Sequence, residues 1–287
     1  MLNDSSKHNT PHKKDVEQTP HDEGAENRNS LTAATQTIGR HASVPWGPIA
    51  STLWAVVIYV VPLAITGSLL SIYPLLMHWN SQRTTNWLNN SISAQFIYTV
   101  IVEALAISIV WLLLRHYRTK PSAIGLKRAK LMDALYAIIA FAAYLVMYLV
   151  IVAVLEHLIP SLNTGQQQDV GFQNATATGS LVMAFISLVI LPPIAEETIF
   201  RGFVFTGFRR KFGFALSAIG TSLLFAIPHL FESAGAGLLW IAGVDTFILS
   251  CVLCFVREKT GRLWAGMGVH ALKNGLAFAT IFIFHLH

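Results

Sequence analysis

The chain has 287 residues, of which 53% are hydrophobic and only 12% charged, with a mean hydropathy of +0.52. Soluble domains carry about 25% charged residues, so this balance excludes an ordinary soluble globular protein and predicts an all-α, polytopic transmembrane helical bundle. The formal charge of +5 sits in short loops at the ends of apolar runs, which argues against a nucleic-acid partner and reads as the positive-inside signature of a membrane protein.

Residues 1–45 are polar, rich in Asn, Thr, His, Lys and Glu. Such a segment cannot bury enough apolar surface to fold alone. It is expected to be a disordered cytoplasmic tail ahead of a transmembrane domain at 46–287. No apolar core follows a basic start, so it does not read as a signal peptide. Its four histidines, His8, His12, His21 and His41, form at most a weak metal-binding set. Seven apolar segments follow, near 47–77, 94–114, 131–159, 180–208, 213–231, 235–256 and 262–284. Each is long enough to approach the roughly 20 residues that a helical span requires. The first contains Pro62 and Pro74 and is expected to be kinked or tilted.

The connections 115–130, 209–211 and 257–262 are basic, whereas 78–93, 160–179 and 232–234 carry almost no Lys or Arg. The two kinds alternate across seven spans. That alternation predicts a multi-pass integral membrane protein with its N-terminus in the cytoplasm, in the plasma membrane if the host is bacterial. Within the basic connection, Pro121–Lys130 is expected to lie as a short amphipathic piece on the cytoplasmic face, against lipid headgroups. Asn174-Ala175-Thr176 matches the N-glycosylation pattern, a three-residue match that chance often supplies. Cys251 and Cys254 are three apart in an apolar run and read as small packing residues rather than a redox pair.

Charge at bilayer depth is costly and is kept for function. The stretch Leu191–Phe205, LPPIAEETIFRGFVF, holds two adjacent carboxylates and an arginine. Glu197 and Arg201 are four apart and share a helix face in the favourable acid-first order. Glu196 is turned about 100° away, so it is the acid left free for proton chemistry. Two histidines lie in later apolar segments, in Phe225-Ala-Ile-Pro-His229 and in His270-Ala-Leu-Lys-Asn274. Each of these motifs places its first and last residues on one helix face. Counted from the basic ends at about 1.5 Å per residue, His270 lies about 12 Å in, Glu196 about 20 Å and His229 about 25 Å. Pro192-Pro193 and Pro228 interrupt the backbone beside Glu196 and His229, a break tolerated where a helix lines a protein-buried or watered cavity. The basic ends lie nearest His270 and Glu196, so the cavity is expected to open toward the cytoplasm. Glu103 and Asp245 are further intramembrane acids, and a lone acid in a bundle more often bonds a neighbouring helix. Glu156 and His157 sit near a span end and receive no role.

This set supports two kinds of chemistry. A desolvated carboxylate can take a proton from water, an imidazole can orient that water, and a second imidazole with an amide can donate to the oxyanion formed at a carbonyl. Alternatively, Glu196, His229 and His270 can hold a divalent metal such as zinc with an open position for water. Residue types leave the choice open. The H-E-x-x-H signature is absent, and no serine stands in a recognisable nucleophile context.

Glu196-Glu197-x-x-x-Arg201, Phe225-x-x-x-His229 and His270-x-x-x-Asn274, in this order on successive apolar segments, resemble the CPBP family of CAAX proteases and bacteriocin-processing enzymes, also called the Abi family. The resemblance covers 180–287, and Gly125-Leu126-Lys127-Arg128 is similar to a basic segment common ahead of that core. It implies a multi-spanning intramembrane endopeptidase, whose eukaryotic branch removes the last three residues of prenylated proteins. It implies catalytic roles for Glu196 and His229 in activating water and for His270 and Asn274 in stabilising the oxyanion. Glu197, Arg201 and Phe225 become supporting residues. Members are often described as metalloproteases, although the glutamate–water route requires no metal. The expected partners are membrane lipids and a membrane-bound protein or peptide substrate, a bacteriocin or pheromone in a host without prenylated proteins. Two rival readings are a bacteriocin self-immunity protein that binds without cleaving, and a proton-coupled transporter using Glu103, Asp245 and Glu196. The oligomeric state is left open.

Overall fold

The computed structural model describes residues 44–166, 168–233 and 237–285. The expected tail up to residue 43, with its four histidines, lies outside the described residues. Val44 and Trp46 are already buried, and the Trp46 ring stacks on Phe203 with Nε1 donating to the Phe203 carbonyl. The packed chain therefore includes residues ahead of the expected boundary at 46.

In a hydrocarbon medium every backbone N–H and C=O needs an internal partner, which leaves the helix as the natural solution for apolar runs of this kind. Five helices among the described residues are long and apolar enough to cross a membrane. They are α1 (Pro48–Leu76), α3 (Ile92–His116), α4 (Leu131–Leu158), α5 (Thr178–Arg209) and α7 (Trp240–Thr260). Between α1 and α3 lies the short α2 (Ser81–Asn90). The fifth and seventh expected spans are also helical. The 16 residues of α6 (Phe214–His229) reach about 24 Å, less than the roughly 30 Å hydrocarbon core. The 15 residues of α8 (Trp264–Phe278) continue into a π-helical turn, Ala279–Ile283. The all-α membrane-type bundle is thus as the composition predicts, with α6 alone among the seven segments too short to span unaided.

Two connections differ from expectation. The segment 81–90 is helical because Asn80 caps it, its side chain accepting from the Arg83 N–H at 2.8 Å. Pro121–Lys130 is not an amphipathic helix. Pro121–Ile124 makes one 3₁₀ turn that stops at Gly125, which sits at φ +92°, in the left-handed region that favours glycine. Ile124 is then fully buried, and the Trp264 indole donates to the Lys127 carbonyl at 2.6 Å. The segment is anchored to the protein while its lysines stay exposed.

The helices pack around several cores. Trp46, Ile58, Val110, Ile124, Phe203 and Phe225 belong to one, between α1, α3 and α5. Tyr144, Leu249, Leu253 and Val269 belong to a second, between α4, α7 and α8. At the basic end, Arg262 grips Asp133 at 2.7 Å and Arg209 grips Glu258 at 2.8 Å. These pairs fasten the start of α8 to the start of α4 and the end of α5 to the end of α7. The Asp133 hydrogen bond holds the Arg262 guanidinium above its ordinary pKa. The connections before α5 and after α6 lie at the opposite end and meet in an isolated antiparallel bridge between Gln168 and Ser233.

Candidate active site

The site begins with two missing donors. Pro192 and Pro193 have no N–H, so the carbonyls four residues earlier, Leu188 and Val189, lose their helical partners. The backbone widens into a π segment over Ile186–Ile190, and the Leu188 carbonyl accepts from Asn274 Nδ2 of α8 at 2.9 Å. A second π segment covers Glu197–Val204, all of whose residues are buried. Such widened turns recur at functional sites. Here one carries Glu197 and Arg201 into the core, where they pair at 2.9 Å with both side chains 0% exposed. The guanidinium lies 4.4 Å from the centre of the Phe225 ring. That aromatic face is a further favourable contact for the cation.

His270 is buried on α8, with Nδ1 at 3.2 Å from Glu197 Oε1. A carboxylate paired with arginine accepts, so Nδ1 donates and Nε2 turns toward Glu196, whose Oε2 lies at 3.7 Å. The Glu196 side chain is 24% exposed, yet Oε2 itself is buried and unpartnered. His229, the last residue of α6, places Nδ1 at 2.9 Å from the Phe225 carbonyl. A carbonyl only accepts, so Nδ1 carries the proton, and Nε2 of the neutral ring keeps a lone pair. Phe225 stands between the two imidazoles, with ring centres 5.0 Å from His229 and 5.9 Å from His270. Its i, i+4 relation to His229 therefore fixes one ring and its edge meets the other.

Glu196, His229, His270 and Asn274 all line one cavity of about 260 Å³. A narrower apolar cleft of about 90 Å³, between α1 and α3, reaches Glu196 and His229 from another side. A larger pocket of about 650 Å³, around Gln95 and Phe172, contains none of these residues. The rim of the catalytic-type cavity includes Gln168, Asp169 and Glu232, at the end opposite the basic loops.

The remaining intramembrane acids divide. Asp245 accepts from the Tyr144 hydroxyl and pairs with Lys273 at 3.2 Å, which matches the structural reading. Glu103 lines the 90 Å³ cleft with Glu196 and makes no hydrogen bond or ion pair with another described residue. Among the cavity residues that carried no role in the sequence reading are Lys273 and Glu232. Glu232 gave no signal, being in a short loop. Lys273 did: it is a cation in the middle of the last apolar segment, nine residues from Trp264. A metal was weighed for Glu196, His229 and His270. Among the described residues, no three His, Cys, Asp or Glu side chains are grouped closely enough to hold an ion. The arrangement does not fit a ligand set, so the chemistry below takes no step through a metal.

Residues 178–276 match the family described as Type II CAAX prenyl endopeptidase Rce1-like. The resemblance to the CPBP family carried by the three motifs thus holds over this segment, which contains all of them. The chain is also 31% identical over 102 residues to an uncharacterized 24.3 kDa protein of Escherichia coli. That alignment covers 34% of this chain and 45% of the relative, so the chain spans less than half the length of the curated relative it matches. No solved structure matches the chain.

Proposed function

We propose that this protein is an intramembrane endopeptidase of the CAAX prenyl protease-like type, hydrolysing peptide bonds of membrane-anchored proteins or peptides near their anchor. The observation that carries the reading is the convergence of Glu196, His229, His270 and Asn274 from three helices on one cavity. Water in that cavity meets two acceptors, the Glu196 carboxylate and the lone pair on His229 Nε2. One water proton passes to Glu196 as the oxygen adds to the scissile carbonyl carbon. The second Asn274 amide hydrogen faces the oxyanion, joined by His270 Nε2 when that nitrogen carries a proton. The C–N bond then breaks, and Glu196 returns the proton to the leaving nitrogen. No covalent enzyme intermediate is required.

The transporter reading loses one of its three acids, since Asp245 is bonded to Tyr144 and Lys273. The immunity reading finds no support in a cavity built of proton acceptors and donors. The test is a library of membrane-anchored peptides offered to the protein in proteoliposomes, before and after exhaustive chelation. Cleavage is expected in both samples and is expected to be lost in His229→Ala. Loss on chelation that added zinc restores would replace the side-chain mechanism with a metal one. Full activity in His229→Ala would refute its role.

A further inference from the structure

The proposed oxyanion site is poor in free donors. One N–H of Asn274 already serves the Leu188 carbonyl. His270 Nδ1 serves Glu197, and its Nε2 can donate only when the ring carries two protons. Fixed donors aimed at developing negative charge supply the largest share of catalysis in acyl transfer. A stronger donor than either stands on the same wall. His270, Lys273 and Asn274 occupy positions i, i+3 and i+4 of α8, on one side of the helix, and all three line the 260 Å³ cavity with Glu196 and His229.

Lys273 lies nine residues from Trp264, about 14 Å from the basic end of the helix, and its side chain is 20% exposed. That depth is near the middle of the bundle, and an ammonium there is costly unless paired or used. Among the described residues it has one partner: Nζ is 3.2 Å from Asp245 Oδ2, and Asp245 is itself held by the Tyr144 hydroxyl of α4. An ammonium has three N–H donors, so two remain for the cavity. The pair thus forms an arm, Tyr144 to Asp245 to Lys273, that presents a fixed positive charge to the chamber.

We propose that Lys273 is a further catalytic residue, whose ammonium donates to the oxygen of the scissile carbonyl as negative charge develops there. The inference rests on the hydrolase reading above. Lys273 stays protonated throughout. The water proton still travels by Glu196 to the leaving nitrogen, and no bond to Lys273 forms or breaks. The competing account is that Lys273 does no more than neutralise Asp245.

Four variants separate the two accounts: Lys273→Met, Lys273→Arg, the double change Lys273→Met with Asp245→Asn, and Glu196→Gln. Each is assayed in proteoliposomes on a peptide that the wild type cleaves, and each is melted in detergent. Lys273→Met is expected to lower kcat by about 100- to 1,000-fold with KM changed less than about threefold, and Lys273→Arg to keep a large part of kcat. The double variant removes both charges and keeps a bond to Tyr144, so its melting temperature should recover while kcat does not. Recovery of kcat in the double variant, or a kcat within a few-fold of wild type in Lys273→Met, would overturn the proposal. If Lys273→Met remains active while Glu196→Gln is dead, the inference alone fails. If Glu196→Gln cleaves as well as wild type, the hydrolase reading fails and takes the inference with it.

Discussion

Replacing Arg201 by Met would leave the Glu197 carboxylate ionised in a place with no solvent. Both side chains are 0% exposed. Glu197 Oε1 has two donors, Arg201 Nη1 at 2.9 Å and His270 Nδ1 at 3.2 Å, while Oε2 is buried without any. The substitution removes the cation and one of the two donors. Breaking a buried pair from one side costs about 3–5 kcal/mol. At about 2–4 °C per kcal/mol for a chain of this size, the melting temperature should fall by about 6–20 °C. The double variant Glu197→Gln with Arg201→Met removes both desolvated charges, so it should lie closer to wild type than Arg201→Met does. Thermal unfolding in a single detergent, followed by near-ultraviolet circular dichroism, measures all of them. A fall of less than about 2 °C for Arg201→Met would mean that the pair contributes far less than breaking a buried ion pair should. A double variant that loses as much as Arg201→Met or more would refute the idea that each charge is there to compensate the other.

Other substitutions probe different parts of the account. Asn274→Leu frees the Leu188 carbonyl inside α5, which should cost about 1–3 kcal/mol and lower kcat; a variant as stable as wild type would show that the carbonyl needs no such partner. Gly266 faces Glu197 so closely that an added Cβ would stand 2.9 Å from Oε2. Gly266→Ala should therefore displace the carboxylate from His270, destabilise by about 1–3 kcal/mol and reduce cleavage; wild-type values for both stability and rate would contradict it. Arg262→Ala breaks the bidentate grip on Asp133, far from the cavity. Its melting temperature should drop while cleavage per folded molecule is unchanged, and a selective loss of kcat would disprove that separation.

The apolar runs made the helices legible, since length and composition are local properties. The spacing of Glu197 and Arg201 announced their pair for the same reason, because four residues on a helix fix a shared face. What depended on a second helix was not legible. The widening of α5 can be suspected from Pro192 and Pro193, but the partner of the Leu188 carbonyl comes from α8, 86 residues away. The ion pair of Lys273 with Asp245 joins α8 to α7, and neither residue names the other in the sequence. In Pro121–Lys130 the single turn between Pro121 and Gly125 and the burial of Ile124 depend on packing that the basic residues do not announce.

The central claim is that Glu196 takes the proton of the attacking water, and its most direct test is the rate of peptide-bond cleavage by purified wild type and Glu196→Gln in the same proteoliposomes. The account predicts a fall of at least about 100-fold in kcat with the melting temperature essentially unchanged, because Glu196 Oε2 has no hydrogen-bond partner to lose among the described residues. Cleavage by the folded glutamine variant at the wild-type rate would contradict it.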